Sequence, residues 1–438
     1  MPLVEDLIGR YFGTSDGELT VGGIRVSDLA TNYGTPLYVY SREVLDRKLF
    51  ILRNALPANI SIYYSVKANP NGTILRYFLD KGCGLEIASG GELHQALKAG
   101  CPPQKIIFAG PGKTPAELEM AIAAGIGEIH AESLLEVDRI GTISRQTSTR
   151  ARVSLRVNPS GDAQGGAMRM GGRAAPFGID EEVFELALDR VLQEPGIEFC
   201  GIHLFTGTQI LDHTDLLNHY RKGLDIAKRA AARLGHPLHT VDFGGGLGIP
   251  YFAEERELDM EELRLGIAGL MEYVCREPLW AGTQFIIEPG RFLVGESGVY
   301  LTRINDIKIS RGKKFLVVDG GMHHHLAASG NLGQVIKKNF PLVLANKLSS
   351  PLEDAVNVVG PLCTPLDTLA RSVRLPRAQV GDIVSFFQSG AYGRTSSPLG
   401  FLSHPTPPEV WIDERQAHLI RRRGTYEDYL NDLCFETR

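Results

Sequence analysis

Three short segments of the sequence carry residues that could act together on one ligand. Segment 63–70 (YYSVKANP) places Lys67 after an apolar run, where desolvation favours the neutral, nucleophilic amine of a Schiff-base lysine. Segment 242–248 (DFGGGLG) contains consecutive glycines, whose backbone N–H groups can converge on an anion. Segment 286–291 (IIEPGR) delivers Glu288 and Arg291 after a second apolar run. Each feature alone has a structural explanation: a solvated lysine, an ordinary turn, or an ion pair.

The three segments together match the needs of pyridoxal 5'-phosphate. This cofactor requires an amine for its aldehyde, a cradle for its phosphate, and a carboxylate for its ring nitrogen. Lys67, the glycines with Arg291, and Glu288 offer these groups in turn. The sequence therefore predicts a pyridoxal 5'-phosphate site.

The elements that must position these residues are strands alternating with helices. Eight β-rich segments occur before residue 290, at 61–66, 84–88, 106–109, 128–131, 153–157, 198–205, 240–243 and 284–287. Alternation indicates parallel pairing, and eight units over about 250 residues fit an α/β fold with a (β/α)8 TIM-like barrel. The three motifs fall where strands end, at the working face of such a barrel. A doubly wound open sheet is the alternative, although its GxGxxG fingerprint is missing after the first strand.

Beyond residue 290 the pattern changes to strands joined by turns, which is typical of an all-β domain. Residues 18–26 (ELTVGGIRV) form one more predicted hairpin before the barrel. We therefore expect a barrel over 36–292 and a second, β-rich domain made from 1–35 plus 293–438.

Composition limits the possible partners. The chain has 438 residues, with 46 basic and 51 acidic side chains and a net charge of −5, so no basic excess favours nucleic acid or an anionic membrane. No window approaches the ~20 apolar residues of a membrane span, and the chain start does not resemble a secretory signal. The six cysteines form no CxxC pair, which argues against a zinc site or a disulfide framework. We expect a cytoplasmic protein that acts on small molecules.

The motifs resemble those of the fold-type III pyridoxal-phosphate decarboxylases, the family of diaminopimelate and ornithine decarboxylases, over nearly the whole chain. The matching segments are YYSVKANPN (63–71), GLEIASGGEL (84–93), FAGPGKT (108–114), LRVNP (155–159), HLFTGTQ (203–209), VDFGGGLGIPY (241–251), IEPGRFLVGESG (287–298), VVDGGM (317–322), GPLCTPLD (360–367), SGAYG (389–393) and HPTPPEV (404–410). The resemblance implies the alanine racemase-like barrel with a β domain, decarboxylation of an amino acid, and a homodimer that shares its active sites.

The resemblance also assigns roles to residues. Lys67 would form the Schiff-base link and Cys363 would return a proton to Cα. Cofactor contacts would come from Lys67, Glu86, Arg156, Phe205, Thr208, Gly244, Gly245, Gly246, Glu288, Gly290, Arg291 and Tyr392. Substrate contacts would come from His323, His324, Thr364 and Asp367. The other five cysteines are interpreted as buried, inert thiols.

Departures from the family pattern concern the substrate. Phe205 replaces the histidine that stacks on the cofactor ring in the family. His203 should lie on the same strand face as Phe205, and it is interpreted either as a site residue or as a core histidine. Thr364 follows Cys363 where diaminopimelate decarboxylases have a glutamate, and segment 323–331 (HHHLAASGN) replaces their arginine and tyrosine for the distal carboxylate. Diaminopimelate is therefore not the expected substrate.

The HHHLAASGN, GPLCTPLD, FQSGAY and SHP segments resemble two subgroups. One is the decarboxylase of butirosin biosynthesis, which acts on glutamate tethered to an acyl-carrier protein; the other is associated with exopolysaccharide and exosortase loci. An amino acid, or an aminoacyl group linked to an acyl-carrier protein, is implied. Decarboxylation of free diaminopimelate or a basic amino acid, racemisation on the same fold, and a non-catalytic cofactor carrier remain alternatives.

Two further patterns are interpreted structurally. No metal is predicted at residues 323–325, because successive strand residues face opposite ways and at most two of the three histidines would converge. The run 421–423 (RRR) is either a solvated patch or a docking surface for an acidic carrier protein.

Overall fold

The computed structural model describes residues 2–161, 168–169, 174–334 and 336–434. The chain divides into two compact units. The barrel unit comprises Leu49–Ile249 and Glu257–Phe292, and the β unit comprises Met1–Lys48, Pro250–Arg256 and Leu293–Arg438.

The strands in chain order are β1 (Gly13–Ser15), β2 (Glu18–Val21), β3 (Ile24–Arg25), β4 (Leu37–Ser41), β5 (Ile60–Ser65), β6 (Gly84–Ile87), β7 (Ile106–Phe108), β8 (Glu128–Ala131), β9 (Ala151–Asn158), β10 (Met168–Arg169), β11 (Ile179–Asp180), β12 (Ile197–Leu204), β13 (Gly207–Thr208), β14 (Thr240–Asp242), β15 (Gln284–Ile287), β16 (Gly298–Ser310), β17 (Lys313–Val318), β18 (Leu342–Leu344), β19 (Leu352–Val359), β20 (Thr368–Pro376), β21 (Ile383–Phe386), β22 (Glu409–Asp413) and β23 (Gln416–Arg421). The α-helices are α1 (Pro2–Tyr11), α2 (Val26–Tyr33), α3 (Arg42–Ala55), α4 (Gly72–Asp80), α5 (Gly90–Lys98), α6 (Pro115–Ala124), α7 (Leu134–Thr147), α8 (Phe184–Gln193), α9 (His213–Leu234), α10 (Met260–Arg276) and α11 (Arg291–Val294).

Eight parallel strands close the barrel. Their order is β9, β12, β14, β15, β5, β6, β7, β8, and β8 pairs back with β9 through Ile129 and Val153. This closing pair excludes the open-sheet alternative and confirms the predicted barrel. Strands such as β6 and β8 are buried along their whole length, as expected where helices cover a parallel sheet.

Helix caps explain where the barrel helices begin. The side chain of Thr114 accepts a hydrogen bond from the Glu117 N–H, and Glu117 bonds back to Thr114, which confirms the capping box predicted for α6. The Ser89 and Ser133 side chains cap α5 and α7 by accepting hydrogen bonds from the N–H groups of Glu92 and Glu136, shortly after β6 and β8. Strands β6 and β8 therefore each lead into the following helix through a short turn.

The β unit contains a long mixed sheet and a small meander. The long sheet runs β20, β19, β17, β16, β4, β22, β23, with β21 joined to β16 and β18. The predicted hairpin at 18–26 is formed by β2 and β3 and extends to β1. A core that includes Leu37, Val39, Val299, Leu301 and Val410 fills the space between the strands and α1 and α2.

The first part of the predicted barrel lies in the β unit. Strand β4 pairs antiparallel with β16 and parallel with β22, so the chain from 36 to 48 groups with the β-rich segments. The reason is that all five residues of β4 are buried in this sheet. No helix among the described residues is long and apolar enough to cross a membrane.

The cysteines differ in their environments. Cys83, Cys101 and Cys200 are buried, and burial raises the pKa of the Cys83 thiol to about 11 and that of Cys101 to about 12. Cys275, Cys363 and Cys434 are exposed. The prediction that every cysteine except Cys363 is buried is therefore wrong for Cys275 and Cys434, which lie near the end of α10 and in the C-terminal segment.

Candidate active site

Lys67 lies in a single turn of 3-10 helix directly after β5 and pairs with Glu86 of β6. Its Nζ lies 2.8 and 2.7 Å from the two carboxylate oxygens. The parallel register places Ser65 beside Glu86, and the Ser65 hydroxyl donates to the same carboxylate. The Lys67 side chain is 41% exposed, so the expected desolvation of this amine is not observed. A buried carboxylate on the neighbouring strand holds it instead.

The glycine-rich turn after β14 approaches other backbone segments closely. A Cβ on Gly245 would lie 2.4 Å from the Glu288 carbonyl oxygen, and Gly244 and Gly246 have φ values of 67° and 111°. Both φ values lie in the region that favours glycine. The N–H of Gly244 donates to the Asp242 carboxyl group at 2.7 Å. The turn is therefore shaped for backbone N–H groups to approach an anion without obstruction by side chains.

The turn after β15 is packed as tightly. A Cβ on Gly290 would meet the Cβ atoms of Ala68 at 2.9 Å and Ser65 at 3.1 Å. Arg291 begins α11 directly after it. The glycine thus lets the segment with Glu288 and Arg291 lie against the turn that carries Lys67.

Glu288 follows β15 and is buried beside two stacked histidines. The His203 Nε2 lies 3.3 Å from its Oε2 and the His130 Nδ1 lies 3.9 Å from its Oε1, while the two imidazole rings stack at 4.4 Å. Burial lowers the pKa of both histidines well below its ordinary value, so they are neutral at pH 7. Glu288 Oε1 accepts no hydrogen bond from the described residues. This oxygen can accept one from a protonated ring nitrogen.

Arg156 and Phe205 line the neighbouring part of the barrel end. The Arg156 guanidinium donates to Glu132 at 2.7 Å and lies 5.8 Å from the centroid of the Phe205 ring. A Cβ on Gly244 would lie 3.2 Å from the Phe205 ring, so this aromatic ring borders the glycine-rich turn. Thr208, in β13, is half-buried a few residues further on.

Sequence reasoning missed three residues of this cluster, His130, Glu132 and Asp242. His130 lies in β8, Glu132 follows it, and Asp242 ends β14. Their position at strand ends was the available signal. Their charged or polar side chains are buried, as is His203, which the sequence left open between a site residue and a core residue.

The predicted substrate residues lie in loops of the β unit. Cys363 is exposed in the loop between β19 and β20, and Thr364 follows it. Asp367 is buried, and its carboxylate accepts the N–H groups of Met322 at 2.6 Å and Leu362 at 2.9 Å. Asp367 therefore ties two loops together, and its contact with substrate stays a prediction. Tyr392 follows in a later turn with a φ of 52°.

The segment 323–325 is a turn. The N–H groups of His324 and His325 both donate to the Gly321 carbonyl, and all three histidines are buried. The argument from strand alternation is therefore wrong, because the backbone coils instead of extending. The rings of His323 and His324 lie 3.7 Å apart, and His404 lies 4.9 Å from His323. Burial lowers the pKa of His323 to about 4, so this imidazole is neutral at pH 7.

The three consecutive arginines are bound within the β unit. Arg421 pairs with buried Glu409, and Arg422 donates to both oxygens of Asp428 at 2.6 and 2.7 Å. Arg423 donates to the backbone carbonyl of Pro36 at 3.0 Å, and burial lowers its pKa. These contacts explain the run by packing and weaken its interpretation as a docking surface.

Comparison with known proteins assigns the chain to a family. The family described as "Pyridoxal-dependent decarboxylase, pyridoxal binding domain" matches residues 42–295, more than half of the chain. The chain belongs to this family. The decarboxylase is 37% identical over 406 residues to the L-glutamyl-[BtrI acyl-carrier protein] decarboxylase of Niallia circulans, covering 92% of this chain and 94% of that one. It is 34% identical to the diaminopimelate decarboxylase of Archaeoglobus fulgidus, covering 96% and 97%.

A solved structure agrees with these relatives. The diaminopimelate decarboxylase of M. jannaschii in complex with L-lysine superposes with a TM-score of 0.89 at 27% identity, covering 97% of this chain and 98% of that one. The decarboxylase is thus a fold-type III enzyme that uses pyridoxal phosphate. The glycine-rich turn, the Lys67 amine and the donor-free oxygen of Glu288 fit that cofactor. The decarboxylase relatives favour decarboxylation over the two alternatives of a racemase and a non-catalytic cofactor carrier.

Proposed function

We propose that the decarboxylase removes the α-carboxylate from an amino acid, or from an aminoacyl group carried by an acyl-carrier protein. The observation that carries this proposal is the grouping of the Lys67–Glu86 pair, the glycine-rich turn, and Glu288 with its donor-free oxygen at the C-terminal ends of neighbouring barrel strands. When bound, pyridoxal phosphate supplies an electron sink for the charge that develops at Cα.

The barrel residues hold the parts of the cofactor. The Lys67 amine would bind the aldehyde, and the N–H groups of the glycine-rich turn with Gly290 and Arg291 would bind the phosphate. Glu288 would hold the proton on the ring nitrogen, because a buried carboxylate stabilises a neighbouring positive charge. Phe205 and Arg156 would contact the cofactor ring, and Glu86, Thr208 and Tyr392 would complete the contacts.

A proton must reach Cα after the carboxylate leaves. The Cys363 thiol supplies it, because this thiol is exposed on a loop of the β unit. In this proposal a homodimer forms, and Cys363 and Tyr392 reach the barrel site of the partner subunit.

The substrate's distal end carries no free carboxylate. In this proposal segment 323–331, with His323 and His324, replaces the arginine and tyrosine expected to bind a distal carboxylate, and Thr364 replaces the glutamate expected to bind a distal amine. The burial that lowers the pKa of His323 to about 4 and that of His324 to about 2 leaves two neutral rings, which cannot act as a cationic clamp. The 37% identity to a decarboxylase of carrier-linked glutamate supports a carrier-linked substrate. A free basic amino acid or diaminopimelate is the alternative, supported by the relatives named for the latter.

Release of CO₂ tests the proposal. The purified holoenzyme is offered glutamate linked to an acyl-carrier protein, free glutamate, lysine, ornithine and diaminopimelate, with Lys67→Ala as the inactive control. We expect turnover of the carrier-linked substrate at least about tenfold above that of each free amino acid. Faster turnover of diaminopimelate would contradict the assignment of the distal end while leaving the decarboxylation intact.

A further inference from the structure

Two carboxyl groups are buried together inside the barrel, on Asp242 and Glu288. One oxygen of each, together with one ring nitrogen of His130 and of His203, lies within 4.8 Å of the others. Asp242 Oδ2 and Glu288 Oε1 receive no hydrogen bond from the described residues. Two buried acceptors without a donor are costly, and one proton between the carboxyl groups removes that cost. Glu288 Oε1 keeps a second lone pair for the ring nitrogen.

Asp242 is the better place for this proton. Burial and the adjacent charge of Glu288 raise the pKa of Asp242 well above its ordinary value, and a hydrogen bond between the two carboxyl groups adds to the shift. Its other oxygen already accepts the N–H of Gly244 at 2.7 Å. With a proton on Oδ2, Asp242 would accept a hydrogen bond from the Gly244 N–H at Oδ1. Its Oδ2–H would donate one to Glu288.

The other titratable groups around Asp242 carry no positive charge, so none of them supplies a cationic donor to Asp242 Oδ2. His130 Nε2 lies 3.9 Å from Asp242 Oδ2, and His203 stacks on the other side of the His130 ring. Both imidazoles are neutral because burial lowers their pKa. Glu128 also lies 3.9 Å from His130, but its carboxylate is held by the hydroxyls of Ser154 and Thr240.

We propose that Asp242 is a protonated positioning residue, which donates a hydrogen bond to Glu288 while accepting one from the Gly244 N–H. One side chain thereby links the phosphate cradle to the carboxylate that faces the ring nitrogen. The proton stays on Asp242, so Glu288 keeps the negative charge that the ring nitrogen requires. This inference rests on the role proposed for Glu288.

Asparagine at position 242 mimics a protonated aspartate, so the variant Asp242→Asn distinguishes a neutral Asp242 from an ionised one. Asp242→Asn keeps an acceptor for Gly244 and a donor for Glu288, so we expect its Kd for pyridoxal phosphate, measured by titration of the full-length apoenzyme, to stay within about threefold of wild type. Asp242→Ala removes both contacts and should weaken binding by about tenfold or more. An asparagine variant as weak as the alanine variant would overturn the proposal.

The apoenzyme gives a second readout that needs no cofactor. Above pH 3.8 the unfolded chain loses the Asp242 proton that the folded chain retains, so the contribution of this residue to stability falls as pH rises. Asp242→Asn removes this dependence. We expect the Tm of the variant to rise relative to that of wild type between pH 5 and pH 8, and a constant difference would count against protonation.

Two controls distinguish the ways in which the inference could fail. If Glu288→Gln leaves cofactor affinity unchanged, the role of Glu288 is wrong, while the pH dependence of Asp242 stands on its own. Elemental analysis of wild-type protein provides the other control, since two histidines and two carboxylates could also bind a metal ion. A stoichiometric metal that Asp242→Asn releases would replace the shared proton as the explanation.

Discussion

Lys67 Nζ contacts both carboxylate oxygens of Glu86, at 2.8 and 2.7 Å, across two neighbouring strands of the barrel. Glu86 is buried, whereas the lysine side chain is 41% exposed. The pair therefore fixes the amine at the rim of the barrel and leaves it accessible to a ligand.

Substitution of Lys67 should distinguish its ion pair with Glu86 from its role in forming a Schiff base. Lys67→Arg keeps a cation beside Glu86 but cannot form a Schiff base, so the variant should fold and lack a covalent cofactor link. Borohydride reduction followed by peptide mass spectrometry checks this, with wild type as the positive control. Lys67→Met leaves the Glu86 carboxylate without its cation and should lower the free energy of unfolding by about 1–2 kcal/mol, a value reduced for the exposure of the pair. A cofactor-modified peptide in Lys67→Arg would refute the assignment.

Gly245 should tolerate no side chain. A Cβ would lie 2.4 Å from the Glu288 carbonyl oxygen, so Gly245→Ala must displace either the glycine-rich turn or the strand end that carries Glu288. We expect a loss of about 1–3 kcal/mol in stability and weaker cofactor binding, measured by denaturant unfolding and by titration of the apoenzyme. The matched control is Gly269→Ala in α10, where nothing lies within 4 Å of the added Cβ. That variant should be stabilised by about 0.5–1 kcal/mol because alanine is the better helix former.

The buried histidines of the β unit predict a loss of stability in acid. Burial lowers the pKa of His323 from 6.5 to about 4. Below pH 6.5 the unfolded chain binds a proton that the folded chain does not, so stability is full above pH 6.5 and falls as pH decreases towards 4. Between pH 7.5 and pH 5 this protonation should lower the free energy of unfolding by about 2 kcal/mol, and His323→Asn should remove that loss. Urea unfolding of the apoenzyme at the two pH values measures it. Exposed His418 provides the control, and an equal effect of His418→Asn would contradict the role of burial.

Mixing of inactive variants tests the proposed shared site. Lys67→Ala and Cys363→Ala alter different units of the fold, so a mixed dimer would contain one site with both native residues if each site draws on two chains. Random exchange of subunits should then restore about a quarter of wild-type activity. Lys67→Ala mixed with Glu288→Gln should restore none, because both residues belong to the barrel of one chain and each site of the mixed dimer therefore lacks one of them. Failure of the first pair to regain activity would place Cys363 and Lys67 of one site in the same chain.

The local patterns of the sequence were enough to predict the barrel and its cofactor. Eight apolar segments separated by helix-like stretches were predicted, and the structure contains strands at all eight positions. Lys67, Glu288 and the consecutive glycines were found because each motif is contiguous in sequence and follows a strand. Strand periodicity and turn chemistry are local properties, which adjacent residues encode.

The pairing of residues that lie far apart in sequence depended on the tertiary structure. Strand β4 has the composition of a barrel strand, and only its pairing with β16 and β22 places it in the β unit. His130, His203, Asp242 and Glu288 come from four different strands or strand ends, and no spacing in the sequence relates them. Burial then determines which of these groups carry charge, because desolvation depends on every segment packed around a side chain. The sequence by itself determined which groups the enzyme carries, whereas the folded barrel decided which of them lie close enough to interact.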